Sequence, residues 1–166
     1  MNKPIHIKPA TLHDVATIAK LADIIWHAHY PSIIGLEQVK FMLEKMYHPN
    51  VLSHHISKGP QEFFIIQSDM ESLGFIAIEP KEKDELYLQK LYVLPTNHRR
   101  GIGAGALNEA VKYYPKAQRM RLQVNRQNYT AINFYFKLGF TIERVADFDI
   151  GHGFFMNDFV MLKQLS

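Results

Sequence analysis

Apolar residues return at helical spacing along the first third of the chain and crowd together at strand density through its middle. Ile5 to Ile7 reads as a short first strand, after which Pro9-Ala10-Thr11 leads into a helix. Thr11 with Asp14 three residues on forms a capping-box pattern in which Asp takes the place of Glu or Gln. Val15, Ile18, Ala19, Ala22, Ile25 and Trp26 then share one helical face, which marks that face as core. The residue before a proline avoids helical angles, so Tyr30-Pro31 ends this helix. A second helical stretch covers residues 36–47 with Val39, Leu43 and Met46 on one side; His48-Pro49 breaks it, and a short helix fits before Gly59-Pro60.

The middle of the chain is β. Phe63-Phe64-Ile65-Ile66 and Phe75-Ile76-Ala77-Ile78 are dense in strand formers, with a hairpin connection at residues 68–72. A third strand covers residues 86–94 and stops at Pro95. A helix over 101–114 follows, with Gly103, Leu107, Ala110, Val111 and Tyr114 as its buried stripe. A strand over 119–124 and a helix over 130–138 come next, and Gly139 sits where a left-handed helix cap belongs. Two strands, 140–148 and 156–162, close the chain around Gly151-His152-Gly153. No repeat or long linker interrupts this order, so residues 1–166 are expected to form a single domain.

Composition narrows the function classes. The 166 residues are 47% hydrophobic and 21% charged, an ordinary globular balance. There is no cysteine, which excludes a disulfide, a thiolate zinc site and a cysteine nucleophile, and favours a reducing, cytoplasmic setting. Met1-Asn2-Lys3-Pro4 has no apolar run behind it, so no signal peptide is expected, and no window is long enough for a membrane span. A net charge of +3 is too mild to point to nucleic acid. His27 and His29 diverge on a helix and His54-His55 are adjacent, so no metal is expected. Eleven Phe and eight Tyr would suit a homodimer contact, although most are expected in the core.

The segment from Leu91 to Gly105 carries the first chemical signal. A strand runs through a basic turn, His98-Arg99-Arg100, into Gly101-Ile102-Gly103-Ala104-Gly105 and a helix. The first N–H groups of a helix lack internal partners and gather partial positive charge, which makes an anion cradle suited to a diphosphate. The same glycines would also serve close packing of helix on strand. Walker A is excluded because Gly-Lys-Ser/Thr is absent. Gly101, Gly103 and Ala106 match the dinucleotide fingerprint, but late in the chain, and the next strand ends Val124-Asn125-Arg126 with no acid for a ribose. A nucleotide-dependent oxidoreductase is weakened by this and stays open.

The second signal lies at 122–140. Val124, Asn128, Ala131, Tyr135, Gly139 and Phe140 follow V-x-x-x-N-x-x-A-x-x-x-Y-x-x-x-G-F, and His98-x-x-Gly101-x-Gly103 follows a diphosphate loop that usually begins with Arg or Gln. On these residues the chain resembles the GNAT superfamily of N-acetyltransferases. The resemblance implies an α/β fold of α+β type: a mixed, mostly antiparallel central sheet of six to seven strands with a splayed parallel pair, flanked by about four helices. It implies acetyl-CoA as co-substrate and a small-molecule or peptide amine as acceptor, with direct transfer in a ternary complex. It also assigns roles. The strand end Leu91-Tyr92-Val93 would line the thioester arm, with backbone groups of Leu91 and Val93 holding the pantetheine and the carbonyl. The amides from His98 through Arg99, Arg100, Gly101, Ile102 and Gly103 to Ala104 would take the diphosphate. Asn128 would contact the pantetheine arm, and Tyr135 would stand near the sulfur as general acid. From the residues alone, Asn128 reads equally as a helix cap and Tyr135 as core. A non-catalytic acyl-CoA binder on the same fold is the other reading the motifs allow.

The acceptor side is less marked. Glu85 opens the strand that feeds the cofactor site and, by the resemblance, would be the base; it also fits a solvated strand end. Trp26, His29 and Tyr30 end the first helix, where the family builds its acceptor site; the plainer alternative puts Trp26 in the core and the histidines over the helix C-terminus. The stretch from Asp149 to Met161 loosely resembles the end of spermidine/spermine acetyltransferases. On that likeness Asp147, Asp149 and Asp158 would attract a polycation, while Asp158 equally fits a hairpin cap.

Overall fold

The computed structural model describes residues 3–98 and 100–165. Seven strands form one sheet: β1 (His6–Pro9), β2 (Glu62–Ser68), β3 (Glu71–Lys81), β4 (Glu85–Val93), β5 (Arg119–Asn125), β6 (Thr141–Gly151) and β7 (Phe154–Gln164). Their order is β1-β2-β3-β4-β5-β7-β6, and every neighbouring pair is antiparallel except β4 and β5. Six α-helices accompany them: α1 (Val15–His29), α2 (Pro31–Ile34), α3 (Leu36–Tyr47), α4 (Pro49–Lys58), α5 (Ile102–Val111) and α6 (Tyr129–Lys137). About four helices were expected. The helix without a counterpart in the sequence pattern is the single turn α2, which starts on Pro31, while α4, which starts on Pro49, is the short helix expected before Gly59-Pro60. Proline suits the first helical position, so each proline that ends one helix also begins the next.

Local chemistry sets these boundaries. Thr11 and Asp14 form the expected capping box: the Thr11 amide donates to Asp14 Oδ2 at 2.8 Å, and Thr11 Oγ1 accepts from the His13 amide at 3.3 Å. Helix α5 stops at Val111 rather than 114. The amides of Lys112, Tyr113 and Tyr114 bond three residues back, which tightens the chain before Pro115. Strands β6 and β7 are longer than the sequence pattern suggests. They run on to Gly151 and Phe154, because three successive positive-φ residues, Gly151, His152 and Gly153, let the chain reverse through a two-residue loop.

Two apolar clusters fill the two faces of the sheet. Helix α5, with Ile102, Ala106, Leu107 and Ala110, packs with Ile132 of α6 on Ile76, Leu88, Met120 and Leu122. Helices α1, α3 and α4 cover the other face, where Ile18, Trp26, Val39 and Leu52 meet Phe63, Ile65, Phe75 and Ala77. Strand β4 changes phase between them. Ala77 pairs with Lys90 and Ile78 with Leu88, so Gln89 is the extra residue of a bulge. Leu86 and Leu88 therefore lie on the α5 face, and after the bulge Leu91 and Val93 return to it, while Tyr92 faces α1.

Gly74 holds β3 against this strand end. A Cβ there would lie 2.1 Å from the Tyr92 carbonyl oxygen, a backbone atom that cannot step aside. Gly74→Ala is expected to lower stability by about 1–3 kcal/mol, the scale of overpacking, in denaturant unfolding. An unchanged midpoint would show that the close approach is not structural.

Candidate active site

The site begins where two strands part. Strands β4 and β5 pair only from Glu85–Arg119 to Leu88–Leu122. Beyond this they diverge, and the residues that follow on both sides, Leu91 to Val93 and Gln123 to Asn125, line a cleft of about 910 Å³. The Leu94 amide bonds to Leu73 of β3 at 2.8 Å. Backbone groups alternate along a strand, so the Val93 and Leu91 amides point the other way, into the gap.

One wall of the cleft is the start of α5. Gly101 caps it at φ +71°, a left-handed position that disfavours side chains, and no side chain among the described residues caps the helix. The first helical bond runs from the Gly105 amide to Gly101 O at 3.0 Å, and the amides of Ile102, Gly103 and Ala104 have no backbone partner among the described residues. All three residues line the cleft. A Cβ on Gly103 would meet the Phe134 ring at 3.3 Å, so this glycine also brings α5 close to α6. His98 is not free to cover an anion: its Nε2–H donates to Val93 O at 2.8 Å and ties the turn to the end of β4. Arg100 is exposed and outside the cleft lining. Arg99 lies outside the described residues.

Helix α6 supplies the opposite wall. Asn128 is buried and caps it, its Oδ1 accepting from the Ala131 amide at 3.3 Å and from His29 Nε2 at 3.0 Å. Asn128 is therefore both the cap and a cleft residue, and His29 is the clasp joining α1 to α6. Tyr135 lines the cleft, with its ring edge-on to Phe134 and Phe140. No hydrogen bond to the described residues acts on its hydroxyl. Burial, helped by Tyr30, pushes the Tyr135 phenol well above its ordinary pKa, so it stays protonated.

The α1 side is aromatic. Trp26 stacks at 4.3 Å on Tyr30, and the Tyr30 and Tyr92 hydroxyls lie 3.4 Å apart. Trp26 is only 2% exposed, so it forms the floor of this side more than a reachable contact. Tyr92 turns its ring into the same cluster, and burial raises its phenol pKa strongly.

Glu85 is a correction. It sits at the closed end of the β4–β5 pair, outside the cleft lining. It is ion-paired to Arg119 at 2.6 Å and to Arg121, which also grips Glu143 at 2.8 Å. Burial would push its carboxyl up, but the two arginines outweigh that and hold it below the usual range. A carboxylate so stabilised and so placed is not a base for this cleft.

The acid that does reach the cleft is Asp158 of β7. It does not cap the hairpin; Asp149 does, accepting from the Gly151 amide at 2.9 Å. Asp147 pairs with Arg126 at 2.8 Å instead of standing free. A sequence signal for Asp158 exists in its strand: Met156, Asp158 and Val160 alternate onto one face, and an acid between two apolar neighbours marks a buried carboxyl.

Comparison with known proteins agrees with this geometry. The family model for the acetyltransferase (GNAT) family matches residues 20–140. The chain belongs to that family and is an acyltransferase. It is 29% identical over 146 residues to spermidine N(1)-acetyltransferase of Thermoplasma acidophilum, covering 84% of this chain and 89% of that protein. The crystal structure of the PaiA N-acetyltransferase of Thermoplasma acidophilum in complex with coenzyme A superposes with a TM-score of 0.83 at 28% identity, covering 98% of this chain and 99% of that one. The ribosomal-protein-S18-alanine N-acetyltransferase of Escherichia coli shares the fold, with a TM-score of 0.72 at 16% identity over 98% of this chain and 95% of that one. No helix among the described residues is long and apolar enough to cross a membrane.

Proposed function

We propose that the protein transfers the acetyl group of acetyl-CoA directly to a primary amine, with a polyamine as the first acceptor class to test. The observation that carries this reading is the uncapped start of α5 opening onto the gap between β4 and β5. Three unpartnered amides at a helix N-terminus suit a diphosphate, and the gap beside them accommodates an extended thioester arm. Amides at Ile102, Gly103 and Ala104 take the diphosphate, and those of Leu91 and Val93 hold the pantetheine and the thioester carbonyl. The Val93 amide faces the oxygen on which charge develops, and one such donor is worth about 3 kcal/mol. His98 acts indirectly, by fixing the turn to Val93. Tyr135, held neutral by burial, protonates the departing sulfur. The polyamine branch is favoured by the likeness to the spermidine N(1)-acetyltransferase of Thermoplasma acidophilum.

The test is release of free thiol from acetyl-CoA by the purified protein, first with spermidine and then with alkyl and peptide amines. Amine-dependent thiol release is expected. Tight binding of acetyl-CoA with no thiol release for any amine would identify a binder or sensor instead.

A further inference from the structure

An amine arrives at neutral pH mainly as an ammonium and must lose a proton before it can attack a thioester, and Glu85 cannot take that proton. We infer that Asp158 receives the acceptor: its carboxylate pairs with the incoming ammonium and accepts the proton that the nitrogen must lose. This deepens the acetyltransfer reading and rests on it.

The placement follows from the sheet. Asp158 lies opposite Asn125 of β5 and Ala146 of β6, and cross-strand partners share a face. Met156, two residues earlier, packs in the α1–α3 cluster, so Asp158 faces the side where Trp26 and Tyr30 stand. Its partner Asn125 is the last residue of β5, at the end that has parted from β4. The carboxyl thus borders the cleft beside the gap, across from the helix that carries Tyr135.

Asp158 is also a buried charge with nothing to neutralise it. It is 3% exposed, and its carboxylate has no hydrogen bond or ion pair among the described residues. Arg126, the cation whose charge bears on it, gives its guanidinium to Asp147 and reaches only the Asp158 backbone carbonyl, at 3.3 Å. A buried carboxylate without a partner is costly, and an ammonium from the cleft would supply one. The groups facing it are Arg126 beyond β5, Asp147 of β6, Tyr30 after α1 and Tyr87 of β4. Burial raises the Asp158 carboxyl to about 6; Arg126 opposes the shift and Asp147 adds to it. That brings its basicity closer to working pH, where a general base is most effective.

The balance is simple. The ammonium gives one proton to the Asp158 carboxylate, and the free nitrogen pair forms the N–C bond at the thioester carbonyl. The C–S bond breaks and the sulfur takes the Tyr135 proton; the second proton that the nitrogen sheds on becoming an amide restores the Tyr135 phenol, and Asp158 passes the first to water. One proton is released for each acetyl group transferred.

The experiment compares wild type, Asp158→Asn, Asp158→Glu and His29→Gln by thiol release from acetyl-CoA, with spermidine and then a panel of alkyl and peptide amines, between pH 5 and 9. In wild type, kcat/KM should rise with pH and level off above about 6, instead of climbing toward the amine's own pKa. Asp158→Asn should lower kcat/KM by about 10²–10⁴-fold and erase that limb, with acetyl-CoA affinity retained. Asp158→Glu should recover part of the rate and the limb. A carboxyl raised in the folded state costs stability once pH exceeds its unfolded value, and fully so above about 6. Asp158→Asn should therefore melt higher than wild type at pH 8, which loss of a purely structural contact would not produce. Normal kcat/KM and an intact limb in Asp158→Asn, or a limb lost only in His29→Gln, would overturn the inference. If the variants fail to fold, a wild-type profile that climbs without a break at about 6 overturns it as well. No thiol release by wild type with any amine removes the acetyltransfer reading, and this inference with it.

Discussion

Gly103→Glu is expected to weaken coenzyme A binding at least 100-fold, to the point where calorimetry detects none. The new carboxylate would stand among the three unpartnered amides at the start of α5, where the ligand's diphosphate is to sit. A helix N-terminus welcomes one anion; the glutamate would occupy that role and repel the diphosphate. A hundredfold loss corresponds to about 2.8 kcal/mol, within reach of displaced charge-assisted hydrogen bonds. Bulk must be separated from charge, because even a Cβ at this position meets the Phe134 ring at 3.3 Å. Gly103→Ala supplies that control. It should bind more weakly than wild type but far better than the glutamate variant. Equal affinities for wild type and Gly103→Glu would mean that the diphosphate lies elsewhere.

Tyr135→Phe should slow turnover by at least tenfold, and by as much as about 10²–10⁴-fold if protonation of the sulfur limits the rate, with little change in acetyl-CoA affinity. The substitution keeps the ring and its edge-on contacts with Phe134 and Phe140, and removes only the hydroxyl. Because burial raises that phenol far above its usual value, wild type should show no loss of activity from Tyr135 ionisation at neutral or mildly alkaline pH. Normal turnover in the phenylalanine variant would assign Tyr135 to packing alone.

The fold was largely legible because local rules and the long-range outcome agree. Thr11 and Asp14 box the entry to α1, Pro31 and Pro49 punctuate the helices, and Gly139 takes its left-handed turn at φ +93° after α6. Helix α3 spans Leu36–Tyr47, the range its periodicity predicts. The cleft was legible only where its lining is set by local backbone. A glycine-rich helix start shows in one dimension, and so does Asn128, because both act within a few residues of themselves. Glu85 shows what does not appear there. Its neighbours are Arg119 and Arg121, more than 30 residues away, and only the parallel register brings them together. His98 is similar, since no sequence pattern reports that its ring would turn back onto the Val93 carbonyl. Asp158 had a local signal in the alternation of β7, but its approach to the cleft depends on β7 lying between β5 and β6.

The central claim is that main-chain donors hold the cofactor, and amide chemical shifts report on it residue by residue. In ¹⁵N-labelled protein titrated with coenzyme A, the largest perturbations should fall on Ile102, Gly103 and Ala104 at the start of α5 and on Leu91 and Val93 across the gap. Saturable binding that leaves those five amides unmoved while shifting others would contradict the account.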